Sequence, residues 1–304
     1  SRDRLSRLTA NAALDGTVPG SEVILYEDPG VPETEHHGGA VAFGNDGKIY
    51  FTTGEHFNAS HAQDLSSPRG KVHRINPDGS APTDNPFHDG AGPNWDSIWA
   101  YGMRNPFRAF YDVPTSRLLV ADVGGNDYSS AYEEVDRIAR GANYGWPNCE
   151  FGNCGNASNT PALYAYPHLG RDASIPGGFV YHGTPFPAAY QGSYFFADYT
   201  QNWIKRLAFD AQGNVSGAFD FEPPDGSGDG PYGDIVCLAE GPDGALHYVD
   251  LGYSDVGGQL GVSKIRRIRY ISSHLPPTAV ASANPPAGPV PLTVSFSSAG
   301  SAAP

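Results

Sequence analysis

The chain has 304 residues and a net charge of −14, from 33 acidic and 19 basic side chains. That balance argues against a polyanionic partner, because phosphate binding needs a basic surface; no nucleic-acid partner is expected, and divalent cations become natural companions. No run of 18 or more apolar residues occurs, so no membrane span is expected, and 38 Gly, 27 Pro and 12% aromatic residues favour many short strands over helices or disorder.

The chain opens on Ser1-Arg2-Asp3 rather than Met, and an N-terminal piece is expected to be missing or removed. Asp3–Leu8 reads as an isolated outer strand. A pattern then recurs: an apolar strand, a turn, a second strand, and an outer strand with a basic tip. One copy is Ala40–Gly54, with Asn45-Asp46-Gly47 as its turn and Gly70–Asn76 as its outer strand. A weaker copy lies at Arg117–Asp122. The next runs Gly192–Asp198 and closes with Trp203–Leu207. The last runs Cys237–Asp250 through Pro242-Asp243-Gly244 and closes with Ser263–Ile268. Repeats of roughly 40 to 60 residues built this way are the mark of propeller blades. The expectation is an all-β propeller, incomplete at its N-terminus, with about four full blades and one strand. The blades end near Tyr270, so 1–271 is read as one domain. Residues 272–304, rich in Pro, Ala and Ser, read as a linker or as the first strands of a segment resembling a PKD-type immunoglobulin-like module.

Cys149 and Cys154 sit in a Gly/Asn-rich loop and are expected to form a disulfide, which implies an oxidising, extracellular compartment. Cys237, in an apolar run, reads as an inert core residue.

Three constellations carry chemistry. Glu35-His36-His37-Gly38-Gly39 precedes an inner strand, and Gly54-Glu55 lies at the far end of the same hairpin. An imidazole there can act as a base, with a carboxylate to hold its tautomer. His36 is the candidate; His37 and His56 read as exposed loop histidines. Tyr101-Gly102-Met103-Arg104-Asn105-Pro106 offers a guanidinium amid apolar neighbours, suited to face a carbonyl or carboxylate. Asp122-Val123-Gly124-Gly125-Asn126-Asp127, followed by Glu133-Glu134-Val135-Asp136 and Asn143-Tyr144-Gly145-Trp146-Pro147, mixes carbonyl and carboxylate oxygens as calcium requires.

Taken in order, His-x-Gly-Gly, Gly-x-Arg-Asn-Pro, Glu-Val-Asp and Gly-x-Asn-Tyr-Gly-Trp-Pro resemble the glucose/sorbosone dehydrogenase family over about residues 1–270. The resemblance implies a six-bladed propeller that binds pyrroloquinoline quinone (PQQ) through calcium, oxidises sugars at C1 and passes electrons to a small acceptor. It implies catalytic roles for His36 (general base), Glu55 (its supporting carboxylate) and Arg104 (beside the quinone carbonyl), with Asn105 as a cofactor neighbour. It further implies that Gly124 and Gly125 hold the cofactor's calcium and that Glu134 and Tyr144 hold a second calcium. The family's basic grip on the PQQ carboxylates is not found: Thr200, Pro231 and Gly233 stand at those positions. Two other readings stay open at this point, a calcium-assisted hydrolase or lactonase acting on carbohydrate, and a non-catalytic carbohydrate-binding propeller.

Overall fold

A computed structural model describes residues 2–30, 35–152, 154–222, 233–254, 259–260, 263–270, 282–284 and 295–297. The chain divides into two units, Ser1–Ile268 and Arg269–Pro304.

The first unit is a succession of antiparallel meanders. β1 (Arg4–Arg7) pairs with β2 (Val23–Glu27) in a two-stranded sheet. The second sheet is β3 (Val41–Phe43), β4 (Ile49–Thr53), β5 (Lys71–Ile75) and β6 (Ile98–Tyr101), with the four-residue helix α1 (Ser60–Gln63) between β4 and β5. The third is β7 (Asn105–Asp112), β8 (Arg117–Val123), β9 (Tyr132–Arg137) and β10 (Tyr164–Pro167). The fourth is β11 (Gly178–Val180), β12 (Tyr194–Asp198), β13 (Trp203–Phe209) and β14 (Val215–Glu222). In the fifth, β15 (Ile235–Glu240) and β16 (Leu246–Asp250) are joined by β19 (Lys264–Ile268), after the small ladder of β17 (Tyr253–Ser254) with β18 (Gln259–Leu260). The expected lone strand at the start is therefore corrected. β1 has a partner in β2, a segment whose Val-Ile-Leu-Tyr run is easily passed over because no turn-plus-outer-strand pattern surrounds it.

Local chemistry explains the meanders. The Asn-Asp-Gly and Pro-Asp-Gly turns close alike. Gly44 N–H reaches Lys48 O at 3.0 Å, Gly241 N–H reaches Ala245 O at 2.9 Å, and Gly47 and Gly244 both take φ +71°. The first strands of successive sheets lie side by side, with β3 against β7, β7 against β11, and β11 against β15. Sheets pack face to face, and one apolar cluster fills each interface. Ile49, Phe51 and Tyr26 lie between the first and second sheets; Tyr50, Val72, Ala100, Leu118 and Val120 lie between the second and third. Tyr166, Phe196 and Trp203 join the third to the fourth, and Phe195, Ile204, Leu238 and Tyr248 join the fourth to the fifth. This is blade-on-blade propeller packing.

In the second unit, β20 (Ser282–Asn284) pairs with β21 (Ser295–Ser297). Most of the segment compared with a PKD-type module lies outside the described residues.

Candidate functional site

The loop entering β3 and the exit of β4 lie at one end of the second sheet. His36 takes φ +58°, and its carbonyl sits where a side chain on Gly54 would collide, at 1.9 Å from an ideal Cβ. Only glycine at 54 allows this approach. The same carbonyl accepts the His56 N–H at 3.2 Å. The result is a short contact, His36 Nδ1 to Glu55 Oε1 at 2.6 Å, with the Glu55 side chain 3% exposed. With Nδ1–H donated to the carboxylate, Nε2 keeps its lone pair, the form a general base needs.

Arg104 and Asn105, at the entry to β7, lock onto this dyad through the main chain. Glu55 N–H donates to Arg104 O at 2.8 Å, and Gly38 N–H donates to Asn105 Oδ1 at 3.0 Å. The Arg104 and Asn105 amides in turn donate to the two Asp122 carboxylate oxygens at 3.0 and 2.6 Å. Arg104 is buried, and its guanidinium donates to Val123 O and Asn126 Oδ1 and lies 5.6 Å from the Trp146 ring centroid. Among the described residues the buried Trp146 Nε1–H has no acceptor. A buried donor without a partner beside a guanidinium suits a ligand rich in acceptor oxygens.

Gly124 and Gly125 follow β8. Their amides donate to Glu133 and Glu150, the latter in the loop closed by the Cys149–Cys154 disulfide. Glu133 is fully buried and also accepts from Ile175 N–H and contacts His168 at 2.9 Å. Beneath them lie three buried carboxylates, Asp122, Glu134 and Asp136, whose oxygens come within 4.8 Å of one another. Glu134 and Asp136 alternate onto one face of β9, and Asp122 on β8 registers directly opposite Glu134. Among the described residues neither Asp136 oxygen has a hydrogen-bond partner, although the side chain is wholly buried. Burial first, then the neighbouring charges, pushes Glu134 and Asp136 well above the carboxylate range; burial likewise raises Asp122, to about 7. Three such groups ask for a cation. The Tyr144 hydroxyl is committed elsewhere, donating to Arg137 O at 2.7 Å and accepting from Ala139 N–H at 3.1 Å. Within the calcium-suited stretches the sequence singles out Glu134 and Tyr144; the structure adds Asp122 and Asp136 as candidate ligands, and the Glu-x-Asp spacing on a strand carries the signal for Asp136.

Two readings are corrected. His56 is not an exposed loop histidine: it is fully buried, with Nε2 2.9 Å from Asp3 Oδ2, because the segment leading into β1 docks over it. Cys237 is the free thiol, but it is half-buried rather than part of a core. At the expected anchor positions, the Thr200 hydroxyl is bonded to Asp198, Gly233 offers no side chain, and Pro231 lies outside the described residues.

The family profile described as "Glucose / Sorbosone dehydrogenase" matches residues 1–249. The chain belongs to the glucose/sorbosone dehydrogenase family. Its similarity to the HIPL2 protein of Arabidopsis thaliana is 33% identity over 279 residues, covering 79% of this chain and 38% of that protein. The chain spans less than two fifths of the length of the curated relatives HIPL1 and HIPL2. A solved Thermus thermophilus protein, described as a putative oxidoreductase (glucose dehydrogenase), superimposes with TM-score 0.70 at 25% identity, covering 88% of this chain and 74% of that one. The PQQ-bound aldose sugar dehydrogenase of Streptomyces coelicolor does so with TM-score 0.68 at 23% identity, covering 88% and 71%. The glucose/sorbosone dehydrogenase fold, an all-β propeller, is thus shared.

Proposed function

We propose that this chain oxidises an aldose at C1, with His36 as general base, PQQ as electron acceptor and calcium as a resident ion. The observation that carries the reading is the His36–Glu55 contact at 2.6 Å, set at the end of the sheet where the Arg104–Asn105 turn is bonded to the same loops. His36 Nε2 would take the proton of the anomeric hydroxyl while Glu55 keeps the imidazole in the productive tautomer and stabilises its charged form. PQQ, when bound, would supply the site that accepts hydride from C1, leaving the sugar as its lactone. Arg104, with Trp146 Nε1–H beside it, would bind and orient acceptor oxygens. Gly124, Gly125 and Asn105 border the same place, and Asp122, Glu134 and Asp136 would hold calcium.

The residues present fit the quinone end of PQQ and fit a cation. Thr200 and Gly233 bring no positive charge to its carboxylates, so the cofactor is expected to be held weakly and to be lost on purification. Secretion into an oxidising compartment is part of the same reading and rests on the Cys149–Cys154 bond; among the described residues no helix is long and apolar enough to cross a membrane.

The deciding assay is dye reduction with an aldose panel, with calcium and PQQ added separately and together. Turnover that needs both, and that His36→Ala abolishes while PQQ binding persists, is the expected result. Absence of PQQ-dependent turnover together with hydrolysis of a sugar lactone would replace this reading with the hydrolase one.

A further inference from the structure

His37 and His56 are the chain neighbours of His36 and Glu55, yet they point away from that dyad, toward the start of β1. There Asp3 Oδ2 stands 2.7 Å from His37 Nδ1 and 2.9 Å from His56 Nε2, and the ligand-type atoms of all three residues lie within 4.8 Å of one another. The two imidazole rings are tilted, with centroids 4.8 Å apart. His56 is fully buried, and among the described residues neither of its nitrogens has a hydrogen-bond partner; its approach to Asp3 is close but off the line that a hydrogen bond requires. Buried polar atoms are seldom left that way. A buried, unpartnered imidazole nitrogen beside a carboxylate and a second imidazole can be satisfied by a cation held among the three.

We propose that Asp3, His37 and His56 form a binding site for a divalent transition-metal ion of the zinc type, separate from the carboxylate cluster on β8 and β9. The donor set selects the ion. Two imidazoles and one carboxylate suit zinc and its neighbours, whereas calcium is held by oxygens alone. Three protein ligands leave a fourth position, and a cavity of about 180 Å³ opens beside Asp3 and His37, bordered by Tyr26, Val41, Phe51 and Thr52. Water or a small anion can complete the coordination there.

The place of the site gives it a task. Its ligands come from the lead into β1, the loop before β3 and the exit of β4, so one ion ties the first sheet to both loops that carry the His36–Glu55 dyad. The main chain already links those loops through His56 N–H to His36 O.

The experiment uses the full chain freed of metal, titrated with zinc by calorimetry and with cobalt(II) by visible absorption. One equivalent should bind in the wild type, with the d–d absorption of cobalt bound by nitrogen and oxygen. His37→Gln and His56→Gln should each weaken zinc at least about a hundredfold, while Asp136→Asn should bind zinc as the wild type does. If the variant at the buried His56 fails to fold, His37→Gln and Asp3→Asn, at part-exposed positions, give the same comparison. Absence of saturable zinc uptake by the wild type, or wild-type affinity in His37→Gln, overturns the proposal.

Discussion

Replacing Asp136 with Asn should have opposite effects with and without calcium. The oxygens of Asp122, Glu134 and Asp136 lie at most 4.8 Å apart. Two unit charges at that distance repel by about 3.5 kcal/mol at an effective dielectric of about 20, so three ionised groups carry about 10 kcal/mol of mutual repulsion. Asp136→Asn removes two of the three pairs, about 7 kcal/mol of repulsion at full ionisation. The real gain is smaller, since protons taken up by the cluster already relieve part of it. In EGTA the variant should therefore melt at or above the wild-type temperature. In calcium at a hundred times its dissociation constant, the wild type gains about 2.7 kcal/mol, worth about 5 °C in a chain of this size, and the variant gains little. Scanning calorimetry of both proteins in both buffers gives the four numbers. If Asp136→Asn lowers the melting temperature equally with and without calcium, Asp136 is an ordinary packing residue and the reasoning fails.

Two further outcomes are expected. Glu55→Gln keeps the shape of the dyad but removes the charge behind His36, so kcat for aldose oxidation should fall roughly 10²–10⁴-fold with PQQ affinity retained; steady-state kinetics with a cofactor titration checks this, and an unchanged kcat refutes it. His73 is fully buried between Ser97 and Pro68, and burial lowers its pKa to about 3. Its folded ring stays neutral while the unfolded one protonates near 6.5, so its contribution is complete above that pH and is lost as pH falls toward 3, by at most about 1.4 kcal/mol per pH unit. Denaturant melts between about pH 6.5 and 4.5 should show a shallower slope for His73→Gln; parallel slopes would refute the assignment.

What the sequence disclosed followed from how local each signal is. The Asn-Asp-Gly and Pro-Asp-Gly turns fix their hairpins within a few residues, so the recurring unit was legible. His36 and Glu55 were legible for the same reason, because one hairpin brings them together. Asp136 and Asp122 depend on the β8–β9 register, which strand spacing suggests but does not number. His56 was misread because its burial comes from Asp3, more than fifty residues upstream, just before a strand whose partner β2 lacks the repeating pattern. The glutamates that receive the Gly124 and Gly125 amides lie at two different distances along the chain, and one of them rides on the disulfide loop.

The apolar clusters between successive sheets have a consequence for how damage spreads. Because the buried residues of each cluster come from one interface, with Phe110 of β7 packed against both the third–fourth and the fourth–fifth clusters, stability in the first unit is closer to a stack of neighbouring couplings than to a droplet. A cavity cut at Ile204 or Leu246 loosens the fourth and fifth sheets, and it touches the third through Phe110, at the end of β7 away from Arg104. The His36–Glu55 dyad sits on the second sheet, with the first sheet and the third as immediate neighbours, so its rigidity is set by those two junctions. Fraying at the fifth sheet can proceed while the dyad keeps its geometry.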